Sequence, residues 1–305
     1  MVGKVMKSTG SWYSVRTESG QVVPCRIRGK IRLEGILETN PVAVGDNVEL
    51  ESDASGGVIT AIRPRQNHML RQAVKKAGHS HVLAANVDLA AVVASLELPR
   101  TSLGFIDRFL VSAESFRIPQ AILFNKTDLL TDVHLRELES VKSLYAGLGI
   151  TVLAFSATTS TDLEEVSNLF RNRTTLLAGH SGVGKSTLLN RLAPHLAQAV
   201  KEVSAYTEKG VHTTTFAEML ELEPNTFVID TPGVKEWGLV DMSRQEISDY
   251  FPEMRELRLN CKFGSRCLHL QEPQCAIRAA AEKGLIAATR YESYFNMVTG
   301  KDNRK

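Results

Sequence analysis

The sequence predicts an α/β chain in three parts: a small β-barrel, a doubly wound parallel sheet, and a helical end that carries cysteines. Three observations predict it. Five short β-type runs with turn residues between them fill roughly the first seventy positions. From His81 to about Leu239, short apolar runs alternate with helical stretches. Three of the four cysteines crowd between Cys261 and Cys275. The boundaries read as 1–72, 73–239 and 240–305.

The runs of the first part are Gly3–Met6, Ser11–Arg16, Val22–Ile27, Asp46–Leu50 and Val58–Ile62. Gly, Asn, Ser and Asp clusters separate them. Five such strands make an OB-fold the most economical barrel. Trp12 and Tyr13 lie near Arg16, Arg26, Arg28, Lys30 and Arg32, a set suited to stacking bases and meeting phosphates. The other reading is that one aromatic plugs the barrel. Cys25 reads as core.

In the second part, Leu89–Ser95, Ala121–Phe124, Thr151–Phe155, Thr175–Ala178 and Thr226–Ile229 read as strands buried on both faces. Helical patterns cover Ser102–Phe116, Val133–Leu148 and Lys185–Leu192. Four of the five runs end directly at a candidate motif, where sheets of this kind bind ligands. In the third part, Ser243–Leu257 reads as a helix and Ala276–Met297 as one or two more. The most apolar stretch, His81–Leu96, is interrupted by Asn86 and Asp88, so no membrane span is expected. The first residues lack the apolar run of a secretion signal, and the cysteine usage fits a reducing cytoplasm.

A net charge of +2 conceals segregation. Residues 1–76 carry +5, residues 77–249 carry −7 and residues 250–305 carry +4. Solvated surface lysines would explain this blandly. The sharper reading has both basic flanks touching a polyanion while the acidic middle handles a nucleotide.

Gly179-His180-Ser181-Gly182-Val183-Gly184-Lys185-Ser186-Thr187 contains a complete phosphate loop. Its glycines let backbone N–H groups wrap phosphates, and the following helix start favours negative charge. Lys185 is expected at the β- and γ-phosphates, with the Ser186 hydroxyl on Mg²⁺. Asn125-Lys126-Thr127-Asp128 chooses the base. A fixed Asp128 carboxylate accepts the N1–H and exocyclic amine that guanine presents, whereas adenine offers an unprotonated ring nitrogen there. Asn125 would brace the base and loop, and the Lys126 stem would cover the ring. Ser156-Ala157 ends the next strand and offers backbone N–H groups toward the guanine carbonyl.

Asp230-Thr-Pro-Gly233 follows a strand, so Asp230 is expected to hold Mg²⁺ through water and the Gly233 N–H to sense the γ-phosphate. Gly210-Val-His-Thr-Thr-Thr215 supplies a hydroxyl for Mg²⁺, from Thr214 or Thr213. Val234 stands where many GTPases place a water-orienting Gln, which implies slow hydrolysis without a partner. His212 is the candidate substitute. A histidine that only caps or packs its loop is the competing reading.

Cys261-x₅-Cys267-x-His269-x₅-Cys275 has the composition of a closed Cys₃His zinc site. Four protein ligands leave no open position, so the role reads as structural. Buried cysteines that merely cluster are the alternative.

In an ordinary small GTPase the phosphate loop precedes the Asn-Lys-x-Asp motif; here it follows. The rotated order, the Gly-x-His-Thr-Thr-Thr segment, Asp-Thr-Pro-Gly-Val and the terminal Cys-Cys-His-Cys set resemble the ribosome small-subunit-dependent GTPase family (RsgA, also called YjeQ or YloQ). The resemblance implies a circularly permuted GTPase domain between an OB-fold barrel and a helical zinc-binding domain. It further implies one structural Zn²⁺, Mg²⁺ with GTP, and late maturation of the 30S subunit. In that family both flanking domains would bind rRNA, as a cytoplasmic monomer.

Two other readings stand beside it. One is a nucleotide-gated rRNA-binding module whose hydrolysis is incidental; the other is an ATP-dependent enzyme with a coincidental Asn-Lys-Thr-Asp. The short connector 234–239 is expected to act as a lever from Gly233 to the zinc domain, so lengthening it would uncouple nucleotide state from ribosome affinity.

Overall fold

The protein is described by a computed structural model covering residues 1–28, 41–53, 56–72, 80–196, 217–231, 237–240 and 242–301. Five strands open the chain: β1 (Val2–Ser8), β2 (Tyr13–Thr17), β3 (Val22–Ile27), β4 (Asn47–Asp53) and β5 (Gly56–Ile62). They run in the order β1-β2-β3-β5-β4, and pairing of β4 with β1 closes the barrel. Alternate residues point inward, so Val5, Tyr13, Val15, Cys25, Val48, Leu50 and Ile59 form the core. Tyr13 is therefore the aromatic that plugs the barrel. Trp12 points outward, 39% exposed, with the Arg26 guanidinium 3.9 Å above its ring. Cys25 is core, as expected. Lys30 and Arg32 lie outside the described residues.

A hairpin, β6 (His68–Gln72) and β7 (Ser80–Ala85), leads into the second part. Its Met69 and Leu83 pack into the core of the larger sheet, not the barrel. No turn or alternation signal in residues 68–85 marks this hairpin.

The larger sheet contains β8 (Leu89–Ala94), β9 (Gln120–Phe124), β10 (Thr151–Ala154), β11 (Thr174–Ala178), β12 (Glu218–Glu223) and β13 (Thr226–Asp230). Its order is β10-β9-β8-β11-β13-β12; the first five are parallel and β12 is antiparallel. β8 shows why the runs looked continuously apolar. Leu89, Ala91 and Val93 face one core while Ala90, Val92 and Ala94 face the other. Helices α1 (Leu103–Glu114) and α2 (Asp132–Gly147) cover one face; α3 (Glu164–Phe170) and α4 (Lys185–Leu192) cover the other. Ser102 caps α1, its hydroxyl accepting from the Phe105 N–H at 3.2 Å.

The barrel joins the edge of this sheet. Lys7 of β1 registers against Glu218 of β12, and their side chains pair at 3.1 Å. Arg16 meets Glu221 at 3.0 Å, and Lys4 and Arg16 lie over the Phe227 ring.

The helix expected over Ser243–Leu257 is broken. It becomes two short turns, Ile247–Tyr250 and Pro252–Arg255, because Pro252 has no N–H to carry a helix through. Two helices close the chain, α5 (Ala276–Glu282) and α6 (Ala288–Thr299), with Gly284 at a φ of 73° between them. This part is docked on α1, whose Val111 enters its core. Trp237, in the connector, stacks edge-on against Phe109 of α1 at 4.9 Å. Trp237 is thus held on α1, the same helix that the C-terminal part packs against.

Among the described residues, no helix is long and apolar enough to cross a membrane.

Candidate functional site

The predicted motif residues lie at the carboxyl ends of neighbouring parallel strands. Asn125 follows β9, Ser156 follows β10 after one residue, Gly179 follows β11, and Asp230 ends β13. Strand register brings those ends level, with Ala154 opposite Phe124 and Leu177 opposite Asp230. This is where open α/β sheets bind ligands.

Asn125 ties three of the motifs together. Its Nδ2 donates to the Val183 carbonyl of the phosphate loop at 2.8 Å. Its Oδ1 accepts from the Lys126 and Ala157 N–H groups, each at 2.8 Å. The side chain is buried, so these partners replace water. Two segments 58 positions apart in sequence are thereby held at one place. Lys126 adopts a left-handed φ of 66°, and Asp128 sits exposed in the short turn Thr127–Leu129 that follows.

The phosphate loop needs its glycines. Gly184 has φ +97°, and a Cβ there would lie 2.2 Å from Asn125 Nδ2. Gly179 has φ +146°, with the Val93 carbonyl 2.4 Å from where its Cβ would be. Lys185 opens α4 and is buried; its Nζ donates to the carbonyls of Gly179 at 2.7 Å and His180 at 3.2 Å. Burial lowers its pKa, while Asp230 pulls the other way. The His180 ring packs on Phe105 of α1 at 4.0 Å. Ser186 follows Lys185 in the first turn of α4, and Thr187 is exposed there.

Burial pushes the Asp230 carboxyl up to about 6, with Lys185 opposing the rise and Glu218 adding to it. Its Oδ1 is buried with no hydrogen-bond partner among the described residues. A buried carboxylate oxygen without a partner, one strand from a phosphate-loop serine, fits a hard cation such as Mg²⁺.

Three features differ from the sequence reading. The N–H groups of Ser156 and Ala157 are engaged within the chain. Ser156 N donates to Ser160 Oγ at 2.9 Å and Ala157 N to Asn125. The Lys126 ammonium donates to the Leu98 carbonyl, in a loop after β8 that no motif marked. Arg191, at the far end of α4, reaches the Ser156–Ser160 loop, and nothing in its sequence setting distinguished it from an ordinary helix-end cation. His212, Thr213, Thr214, Gly233 and Val234 lie outside the described residues.

A second constellation sits in the C-terminal part. Cys261, Cys267, His269 and Cys275 are all buried, and their ligand atoms lie within 4.8 Å of one another. Cys261 and Cys275 sulfurs are 3.8 Å apart; His269 Nδ1 is 3.5 Å from Cys261 Sγ and 3.3 Å from Cys275 Sγ. A zinc–sulfur distance of about 2.3 Å puts two sulfurs of a tetrahedron about 3.8 Å apart. The donor set and its spacing therefore fit one zinc-sized ion. Burial holds the His269 imidazole down to about 4, in the neutral form that ligates. Tyr291 and Tyr294 fasten the loop, donating to the His269 and Leu268 carbonyls at 2.7 and 2.8 Å.

Comparison with known proteins agrees with this geometry. The RsgA GTPase family profile matches residues 62–240 and that of the RsgA N-terminal domain matches residues 2–59. The small ribosomal subunit biogenesis GTPase RsgA of Bacteroides fragilis is 46% identical over 306 residues, covering 100% of this chain and 98% of that protein. Its namesake in Christiangramia forsetii is 43% identical, covering 99% and 97%. Among solved structures, YjeQ from Thermotoga maritima superposes with a TM-score of 0.76 at 32% identity, covering 100% of this chain and 99% of that one. YloQ, described as a circularly permuted GTPase, gives 0.71 at 30% identity, covering 100% and 96%. With the rotated motif order assembled on one sheet and both matched profiles spanning most of its length, this chain belongs to the RsgA GTPase family.

Proposed function

We propose that this chain hydrolyses GTP as an assembly factor of the small ribosomal subunit, working in the cytoplasm as a monomer, slow alone and accelerated by the 30S particle. The observation that carries the reading is the Asn125 carboxamide, which binds the phosphate loop with one end and the base loop with the other. A base-reading carboxylate and a phosphate cradle are thereby held around one ligand.

In this reading Asp128 selects guanine, Asn125 fixes the base loop, and Lys126 and Thr127 shape its entrance. Residues Gly179 to Thr187 wrap the phosphates, with Lys185 exchanging its loop carbonyls for phosphate oxygens. Because the Ser156 and Ala157 N–H groups are engaged, guanine selectivity rests mainly on Asp128. Asp230, Ser186 and Thr214 would hold Mg²⁺, which neutralises charge on the phosphates when bound. Gly233 senses the γ-phosphate and His212 orients the attacking water. Cys261, Cys267, His269 and Cys275 would hold one structural Zn²⁺, which staples a small helical unit.

The first unit ends near residue 63 rather than 72, since Met69 packs with the central sheet, and the third begins at 240. The exposed Trp12–Arg26 pair and the basic C-terminal part would meet rRNA. The names of the relatives favour an enzyme of subunit assembly over an incidental hydrolase. Turnover of GTP against a titration of purified 30S particles tests the reading. Strong stimulation is expected; a flat titration would overturn it. Replacing Asp128 by Asn is expected to shift preference from GTP to xanthosine triphosphate, because the amide can donate to the xanthine carbonyl.

A further inference from the structure

Helix α4 has functional chemistry at both ends. Lys185 stands at its start, beside the phosphate loop. Arg191 stands in its last turn and spreads its guanidinium over the loop that follows β10. Nη1 donates to the Ala157 carbonyl at 3.1 Å and the Thr158 carbonyl at 3.4 Å, and Nη2 to the Ser160 carbonyl at 2.8 Å. A planar guanidinium fork, with donors on separate nitrogens in fixed directions, spans carbonyls spread along a loop more widely than the single nitrogen of an ammonium or an amide.

Ala157 is the meeting point. Its N–H is held by Asn125 and its carbonyl by Arg191. Asn125 in turn is anchored on Val183 of the phosphate loop, and Arg191 is part of the helix that the loop starts. The base loop is therefore tied to the phosphate segment from both sides, through two side chains on different elements. One tie lies in a recognisable motif and the other does not.

We propose that Arg191 is a positioning residue for the purine: it locks the Ser156–Ser160 loop to the phosphate helix, so that base and phosphate recognition form one rigid unit. The inference rests on the guanine-site reading above. With the guanidinium removed, the Ala157, Thr158 and Ser160 carbonyls lose a shared donor, and the loop is held to the phosphate segment through Asn125 alone, with more freedom to shift from the bound base. The phosphate loop keeps its own hydrogen bonds.

The test uses the full-length chain as Arg191→Ala and Arg191→Lys, with Asp128→Ala as a control. GDP and inorganic tripolyphosphate are the two ligands measured, because tripolyphosphate engages the phosphate loop without a base. Arg191→Ala is expected to weaken GDP about tenfold, the size of one charge-assisted hydrogen bond, chiefly through faster release. Tripolyphosphate affinity should hold within about twofold, since its contacts do not involve the loop. Arg191→Lys should recover part of the loss and remains informative should the alanine variant not fold.

Equal weakening of both ligands would reduce Arg191 to a helix support and overturn the proposal. So would unchanged GDP affinity in both variants. If Asp128→Ala leaves the preference for GDP over ADP intact, the guanine-site reading itself fails; if it abolishes that preference while Arg191 variants do nothing, only the present proposal does.

Discussion

The guanidinium of Arg290 meets the carboxylate of Asp107 at 2.5 Å, both fully buried, where α6 crosses α1. Glu253 takes the other side of the same guanidinium at 2.7 Å, and Tyr145 donates to Asp107 at 2.7 Å. The Arg290 head also lies 4.5 Å from the Phe251 ring centre. Removing the cation leaves two carboxylates without their counter-charge in a buried interface. Arg290→Ala is therefore expected to cost about 3–5 kcal/mol in denaturant unfolding. A loss below about 1 kcal/mol would show that water already reaches the pair.

The same interface bears on the connector. Because α1 holds the C-terminal part through Val111, Glu114 and Asp107, a flexible insertion beside Leu239 is expected to leave that part docked. Intramolecular cross-linking between α1 and α6 would report it. Loss of the cross-link on insertion alone would show that the connector, and not α1, holds that part in place.

Gly184→Ala tests the packing of the two loops. The added methyl would strike the Asn125 amide and the backbone would be forced to keep φ +97°. Loss of GDP binding by at least about tenfold is expected from combined steric conflict and strain. A variant with unchanged affinity would mean that Asn125 can leave Val183 without consequence.

Asp230 supplies a pH test of the protein without nucleotide or metal. Its carboxyl is raised from an ordinary value of 3.8 to about 6. Below pH 4 it is neutral folded and unfolded alike. Between 4 and 6 the unfolded chain gives up the proton first, so this group's contribution to stability falls as pH rises through that window. Asp230→Asn is expected to be more stable than the parent at pH 7 and equal to it near pH 3.5. It should also bind GTP less responsively to Mg²⁺. His269, held down to about 4, contributes with the opposite sign over the same window, so the readout is the stability difference between Asp230→Asn and the parent. A difference that stays constant from pH 4 to 7 would contradict the burial of this group.

Chelation tests the thiol cluster. One zinc per chain is expected by elemental analysis, and its removal should unfold residues 242–301 selectively while GDP binding persists. Cys267→Ser should do the same. Zinc-free protein with unchanged melting would assign the cluster to ordinary packing.

Much of this was legible in the chain. Runs such as Leu89–Ala94 announced a two-faced sheet because no polar residue interrupts them, and the motif strings marked four strand ends. The Cys₃His spacing announced the cluster. What escaped notice depends on distant partners. β12 pairs mainly with Phe227 and its neighbours on β13, and its own pattern of Glu and Leu reads as readily for a helix. Around Pro252 the apolar residues keep a helical period, so the pattern alone points to a continuous helix that the missing N–H interrupts. The internal engagement of the Ser156 and Ala157 N–H groups, and the reach of Arg191, are set by tertiary packing alone.

Among the described residues, strand β12 would be the outermost strand of the central sheet were it not for the barrel, whose β1 pairs with it at Lys7–Glu218 and whose Arg16 reaches Glu221. A shortened enzyme lacking residues 1–62 would bare that margin to solvent. Neighbouring copies could then zip together along it, so trimming this family to its nucleotide-binding heart invites self-association more than it simplifies the molecule.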